Sequence, residues 1–492
     1  MGEFMKLRSR NSAMGSLSVN ALFNILKQCC NIVFPLITYP FVARVLGAEN
    51  LGKYSFSDSV VGYFMLFASL GISTYAVREG ARIRNEKKEM EIFSAELFSI
   101  NLIAMVLSCF VLFFLLFVKV FDGYTLLMYI LSINIVTSVI GRDWLNSIYE
   151  DFSYLSIRYI FFQFAALILL FLFLRKPDDY IKYTAIMTFA NSGGYFASFF
   201  YTQKYVPIRI TGKLNIKRHL KPILYLFCSS LAVTVYIRSD ITILGLFRSD
   251  AEVGIYTLAS KVYTIIKALL NAVIMVVIPR LSNYLGEGRT SEYHGLLNKL
   301  QDAIGVFIFP CVTGLFFLSE DVMLMIGGSA YRSGYISLKI LCMALIFAVF
   351  GCFYSQAILV VEKKEKYFLF ATVLSAVINI LFNIIAVPVA GMTGAAITTV
   401  IAEMAVMIIC RFYSKQNTNW NDRKSSVSVL AGCMFIMVIC LFSKTIFESM
   451  LIRLSVSIGI SGAVYFFSLI IMKNRLVLEV LKYYALVFRG RE

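Results

Sequence analysis

The chain has 492 residues, of which 59% are hydrophobic and 15% charged, at a mean hydropathy of +0.77. That is too apolar for a water-soluble globular protein, and apolar tracts from Leu17 to Met472 leave no room for a separate soluble catalytic domain. A formal charge of +17 would suggest nucleic acid in a soluble chain, but here its distribution has to be set against a bilayer first.

A hydrocarbon core of about 30 Å takes roughly 20 apolar residues per helix. The sequence predicts fourteen spans, near 16–46, 51–76, 92–118, 123–141, 154–174, 180–203, 219–247, 252–279, 297–319, 333–360, 367–388, 391–411, 426–446 and 451–472. Span 1 carries Asn20, Asn24, Lys27, Asn31 and Thr38 at intervals that place them on one helical face. Pro35 and Pro40 are expected to interrupt it, as Pro310 is expected to interrupt span 9. Span 2 has Ser55, Asp58, Ser59, Gly62 and Ser69 on one face. In span 7, Arg238 and Asp240 point to nearly opposite sides of an unbroken helix, so either the helix is irregular or each needs its own partner across the bundle. Span 8 carries Thr257, Ser260, Thr264, Lys267 and Asn271, with Lys261 on the flank; span 11 adds Thr372, Ser375, Asn379 and Asn383, and span 12 adds Glu403.

Counted over alternate connections, 31 Lys and Arg fall on the side of the N-terminus and 10 on the other, which predicts that both termini are cytoplasmic. Most of the positive charge is therefore a topology signal, and no nucleic-acid partner is expected. Five basic residues remain inside spans: Lys27, Arg238, Lys261, Lys267 and Lys339. Asp58, Asp240 and Glu403 join them from the acidic side. A charge at a span centre costs about 2.5–3.5 kcal/mol on insertion scales, so such residues should face a bundle interior or a wet cavity. Lys339 stands near a span end and can snorkel. Polar stripes also suit interhelical hydrogen bonding, but four of them, two with lysine, favour a shared polar cavity. The two histidines, His219 and His294, are read as lying in polar connections, so no histidine-ligated metal centre is expected within the membrane. The ten cysteines, among them Cys29, Cys30, Cys109, Cys228, Cys342 and Cys440, lack CxxC spacing and read as small buried hydrophobes.

An internal repeat appears at a shift of 202, where Leu51-Gly52-Lys53-Tyr54-Ser55 aligns with Val253-Gly254-Ile255-Tyr256-Thr257. Six spans per repeat is an even number, so the copies are expected to be parallel. The fold predicted is an all-α integral membrane protein of fourteen transmembrane helices. It comprises a cytoplasmic N-terminal segment (1–15), two pseudo-symmetric six-helix lobes (16–203 and 219–411) joined by a linker (204–218), and a region with two extra C-terminal helices (412–492).

The run Tyr39-Pro40-Phe41-Val42-Ala43-Arg44-Val45-Leu46-Gly47-Ala48-Glu49-Asn50-Leu51-Gly52-Lys53-Tyr54, followed by Leu70-Gly71-Ile72-Ser73-Thr74-Tyr75-Ala76-Val77-Arg78-Glu79, resembles the bacterial polysaccharide-transport (Wzx-type) flippases. Their superfamily also holds the multidrug and toxin extruders and the lipid II flippases. The resemblance implies lobes around a central cavity, alternating access in a bacterial cell membrane, and undecaprenyl-diphosphate carrying an oligosaccharide as the substrate. It also implies a transporter and not an enzyme, working beside a polysaccharide polymerase and glycosyltransferases. Lys27, Arg238, Lys261 and Lys267 fit the basic cavity residues of such proteins, and Asn24, Asn31 and Asn271 share their stripes. Fixed cations in a shielded cavity would replace the lost hydration of a diphosphate, and amide and hydroxyl side chains can hydrogen-bond sugars. No cofactor is expected; coupling to H+ or Na+ would need an intramembrane acid, for which Asp58, Asp240 and Glu403 are the candidates. The alternatives are a drug or cation antiporter of the same fold, which would want an acidic, aromatic cavity, and a membrane glycosyltransferase or polymerase, which would want a large outer loop.

Overall fold

The computed structural model describes residues 2–212, 215–415 and 423–489, with side chains described for 23, 26–212, 215, 218–415 and 425–482. Regular structure among these residues is helical throughout. The helices are α1 (Gly2–Ser69), α2 (Ile72–Ile83), α3 (Lys87–Leu115), α4 (Thr125–Ile140), α5 (Asp143–Ile148), α6 (Phe152–Phe173), α7 (Tyr180–Tyr201), α8 (Ile216–Phe247), α9 (Asp250–Gly286), α10 (Thr290–Gly327), α11 (Tyr335–Cys352), α12 (Glu365–Ser414), α13 (Arg423–Ile446), α14 (Met450–Ile471) and α15 (Arg475–Arg489). A π-helical segment, Phe353–Val360, continues α11.

Eleven described helical stretches are long and apolar enough to cross a membrane. Two of them are broken by a glycine with positive φ, Gly47 (φ 74°) and Gly391 (φ 55°), and each supplies two crossings. With the 22-residue α7 this yields the fourteen crossings that the sequence predicts. Only glycine enters the left-handed region without steric cost, which is why these breaks fall at Gly47 and Gly391. Beyond Gly391 the chain doubles back: Thr398 Oγ1 donates to Asn383 Oδ1 (2.6 Å) and Ser375 Oγ to the Ala402 carbonyl (2.7 Å). Arg248 covers the carbonyl groups left open at the bend, donating to Val387, Pro388 and Val389 at 3.2, 3.0 and 3.0 Å. The helices run through Pro35, Pro40 and Pro310, contrary to the expected interruptions. A proline removes one ladder bond, and in a bundle neighbouring groups absorb that loss.

Residue contacts divide the chain into two compact units, Met1–Leu246 and Phe247–Glu492, with α8 in the first. In the first unit α4 and α5 share a polar seam with α7, in which Ser192 Oγ donates to Asn134 Oδ1 of α4 (2.7 Å) and Asn146 Nδ2 of α5 to Ser198 Oγ (2.9 Å). The end of α7 is tied to the start of α6 by Asp151, which accepts from the hydroxyls of Tyr201 and Tyr205 (2.6 Å each) and from Lys204 (3.1 Å). Burial alone would raise that carboxyl; the two phenols and the ammonium outweigh it and hold Asp151 below the usual carboxylate range. In the second unit α13 and α14 pack on α10 through a core that includes Val306, Leu318, Val429, Ile436, Leu454 and Leu469. Tyr465 donates to the Val306 carbonyl (2.8 Å) and Arg453 pairs with buried Asp321, so α14 is fixed to α10 by polar as well as apolar contact.

Candidate functional site

Each unit holds an intramembrane ion pair made from residues that the sequence singles out. In the first unit, Arg238 of α8 reaches the part of α1 beyond Gly47. Its Nη1 donates to the Asp58 carbonyl (2.7 Å) and to Asp58 Oδ2 (3.0 Å). Beneath the pair, Ser59 Oγ donates to the Arg238 carbonyl (3.0 Å) and lies 2.6 Å from Thr242 Oγ1, which in turn donates to the Tyr63 hydroxyl (3.3 Å). The guanidinium lies across Gly62, where a Cβ would collide with it. Gly62 is thus the feature that lets the arginine lie flat along α1. The pair is half-exposed, at 31% for Arg238 and 42% for Asp58, so it stands at a surface of its unit. Asp240, two residues on, is buried, as expected from the opposite side of the helix.

In the second unit, Lys267 of α9 pairs with Glu403 of α12, and Tyr263 donates to the same carboxylate oxygen at 2.7 Å. Glu403 is 6% exposed and Lys267 26%, so the acid is sealed and the ammonium still reaches the surface of the unit. Asn271, one turn beyond Lys267, keeps its Oδ1 buried and without a hydrogen-bond partner among the described residues. Lys261 is half-buried on the same helix.

Lys27 differs from both. Among the described residues it forms no ion pair, and its Nζ lies 5.6 Å from the centre of the Tyr159 ring of α6, within cation–π range. Asn31 is exposed and donates to Gln28 Oε1 (3.3 Å). The Asn20 and Asn24 side chains lie outside the described residues. Arg238 and Lys27 belong to the first unit, Lys261 and Lys267 to the second.

Sequence reasoning missed Tyr63, Thr242, Tyr159 and Tyr263. Tyr263 and Thr242 were within reach, standing four residues from Lys267 and Arg238 on the same helix faces. Two readings change. His219 is not in a polar connection: it is fully buried at the start of α8, its ring nitrogens 2.9 Å from the Tyr75 hydroxyl and 2.8 Å from Glu96 Oε2. Packing against Phe93 and Tyr75 provides the apolar shell that draws it in. Of the cysteines, Cys342, Cys410 and Cys440 are buried, but Cys29, Cys228 and Cys311 are exposed, because a lipid-facing helix surface accepts small apolar side chains as readily as the core does.

Comparison with known proteins places this geometry. A family profile described as "Polysaccharide biosynthesis protein" matches residues 17–285, which takes in both sequence motifs and the whole Arg238–Asp58 site. A protein of Escherichia coli (strain K12) named as an O-antigen transporter is 23% identical over 406 residues, covering 82% of this chain and 97% of that protein. The capsular polysaccharide biosynthesis protein CapF of Staphylococcus aureus is 24% identical over 410 residues, covering 80% and 97%. Among solved structures, the lipid II flippase MurJ in an inward closed conformation superposes with a TM-score of 0.75 over 94% of this chain and 100% of that one, at 18% identity. The likeness to MurJ establishes the fold. By the profile match over more than half its length, the chain belongs to the polysaccharide biosynthesis protein family, the transport proteins that its 39–54 and 70–79 motifs resemble.

Proposed function

We propose that this protein is a flippase that carries undecaprenyl-diphosphate-linked oligosaccharide units from the inner to the outer leaflet of a bacterial cell membrane by alternating access. The observation that carries the reading is membership of the polysaccharide family; the O-antigen transporter and the capsular polysaccharide biosynthesis protein among the relatives support it. Translocation breaks no covalent bond, so the task is electrostatic. A diphosphate must cross a low-dielectric slab of about 30 Å with its hydration replaced. Lys27, whose ammonium lies against the Tyr159 ring and forms no ion pair among the described residues, is the cation we assign to first contact with the diphosphate. Arg238 and Lys267 are held by Asp58 and Glu403, and we assign them to a second stage in which phosphate oxygens compete with the carboxylates. Protonation of either acid would release its cation, which makes Asp58 and Glu403 the points at which an H+ gradient could drive the exchange; Na+ is the other coupling ion to test. Asn24, Asn31, Lys261 and Asn271 are assigned to the sugars. A drug antiporter fits less well, because the basic residues would repel a cationic drug.

The test is translocation of a fluorescent undecaprenyl-diphosphate oligosaccharide in proteoliposomes. Protection of the label from an external quencher should depend on the protein and be lost in Lys27→Gln but retained in Lys27→Arg. Transport of a cationic dye without transport of the lipid would establish the antiporter instead. Orientation has its own check: a reporter fused after Lys213 should be cytoplasmic and one after Asp250 external, given the 31 to 10 bias. Both on one side would overturn the assignment of cytoplasmic termini. Polysaccharide polymerase and glycosyltransferases are proposed as the neighbouring partners.

A further inference from the structure

Lys339 is the one intramembrane basic residue named from the sequence that neither ion pair nor transport path uses. It stands one turn into α11 at the edge of a cleft of about 410 Å3 formed by α10, α11 and α12 of the second unit. Its Nζ lies 5.4 Å from the centre of the Phe316 ring and 5.0 Å from that of Tyr335, and among the described residues it forms no ion pair. The nearest basic side chain in sequence, Arg332, is taken up by Glu320 at 2.8 Å. Every other wall of the cleft is apolar: Ile336, Ile340 and Met343 from α11, and Ile397, Val400 and Ile401 from α12. Three of these, Ile336, Met343 and Ile397, are exposed, so the cleft opens on a surface of the unit.

Two rings orient an ammonium without neutralising it, and an uncompensated charge at the membrane is costly unless water or an anion meets it. Lys339 lies about 6 Å along the helix axis from Tyr335, the first residue of α11, at the helical rise of 1.5 Å per residue. We propose that this cleft is a binding site for a monoanionic phospholipid, its phosphodiester on Lys339 and an acyl chain lying between Ile340 and Ile401. The single available ammonium decides between lipid classes. A phosphodiester carries one negative charge and is matched; a prenyl diphosphate would bring surplus charge with no second cation in the cleft. On the opposite flank of α12, Thr399 and Glu403 face Tyr256, Tyr263 and Lys267 of α9, so a lipid in the cleft would press on the helix that carries the Glu403 pair. The site does not depend on what the protein transports.

The experiment is native mass spectrometry of the full chain in detergent, titrated with phosphatidylglycerol or with phosphatidylcholine of the same acyl chains. One phosphatidylglycerol should be held more tightly than phosphatidylcholine. Lys339→Gln should weaken it roughly tenfold, as loss of a charge-assisted bond does, and Lys339→Arg should preserve most of it. Ile340→Trp, which fills the cleft and keeps the ammonium, should weaken both lipids. Equal binding of the two lipids to the wild type, or an unchanged preference in Lys339→Gln, would overturn the site. So would a co-purified prenyl diphosphate that is lost in Lys339→Gln. Should Lys339→Gln not fold, unchanged phosphatidylglycerol binding by Ile340→Trp would overturn it equally.

Discussion

Replacing Lys267 by Ala is expected to abolish translocation and to destabilise the second unit by about 3–5 kcal/mol, the cost of leaving a buried charge without its partner. The size follows from burial: Glu403 is 6% exposed and its hydrogen-bond partners among the described residues are Lys267 and the Tyr263 hydroxyl, so little water reaches it to replace the ammonium. Removing the acid's charge at the same time should recover most of the stability, because Tyr263 can still hydrogen-bond a neutral amide at position 403. The double variant Lys267→Gln/Glu403→Gln should therefore unfold in detergent close to the wild-type temperature and yet fail to move the lipid-linked oligosaccharide in proteoliposomes. Lys267→Arg should transport better than Lys267→Gln. If the double variant transports normally, the pair is structural only; if it unfolds as early as Lys267→Ala, the stability argument fails.

Gly62→Ala, a single substitution, should give a nearly normal fold without transport. The added Cβ would occupy the place of the Arg238 guanidinium. That group is the far end of a flexible side chain, and it can swing away at little cost. Its contacts with the Asp58 carbonyl and carboxylate would then be lost. Asp58 and Arg238 are 42% and 31% exposed, so solvent would take up much of the lost interaction and stability should change by no more than about 1 kcal/mol. Arg238→Ala should be as inactive as Gly62→Ala, and combining the two should add nothing further, since both remove one contact. Additive losses, or a Gly62→Ala variant that transports at the wild-type rate, would show that the flat arrangement of Arg238 on α1 has no part in transport.

The order of the spans, the membrane class and the identity of the charged residues were fixed by the sequence alone, because hydropathy and the cost of charge in lipid act residue by residue. Stripes at helical spacing likewise revealed Lys267 with Asn271 and Asp58 with Gly62, since a helix face depends only on local geometry. Pairing was a different matter. Arg238 stands 180 positions from Asp58 and Lys267 stands 136 from Glu403, and no periodicity within one helix can report a contact between two. The sequence showed four cations to set against three acids, whereas the packing of α8 on α1 and of α9 on α12 decided that two of those cations are held by carboxylates and that Lys27 and Lys339 form no ion pair among the described residues. The break in the first long helix falls at Gly47, between the spans the sequence placed at 16–46 and 51–76, whereas the further interruptions expected at Pro35 and Pro40 are absent. A missing N–H is tolerated when neighbours satisfy the backbone, but a left-handed residue redirects the chain whatever surrounds it. His219 was drawn into the core for a related reason: Tyr75 and Glu96, more than a hundred residues away in sequence, satisfy both ring nitrogens once α2, α3 and α8 pack together.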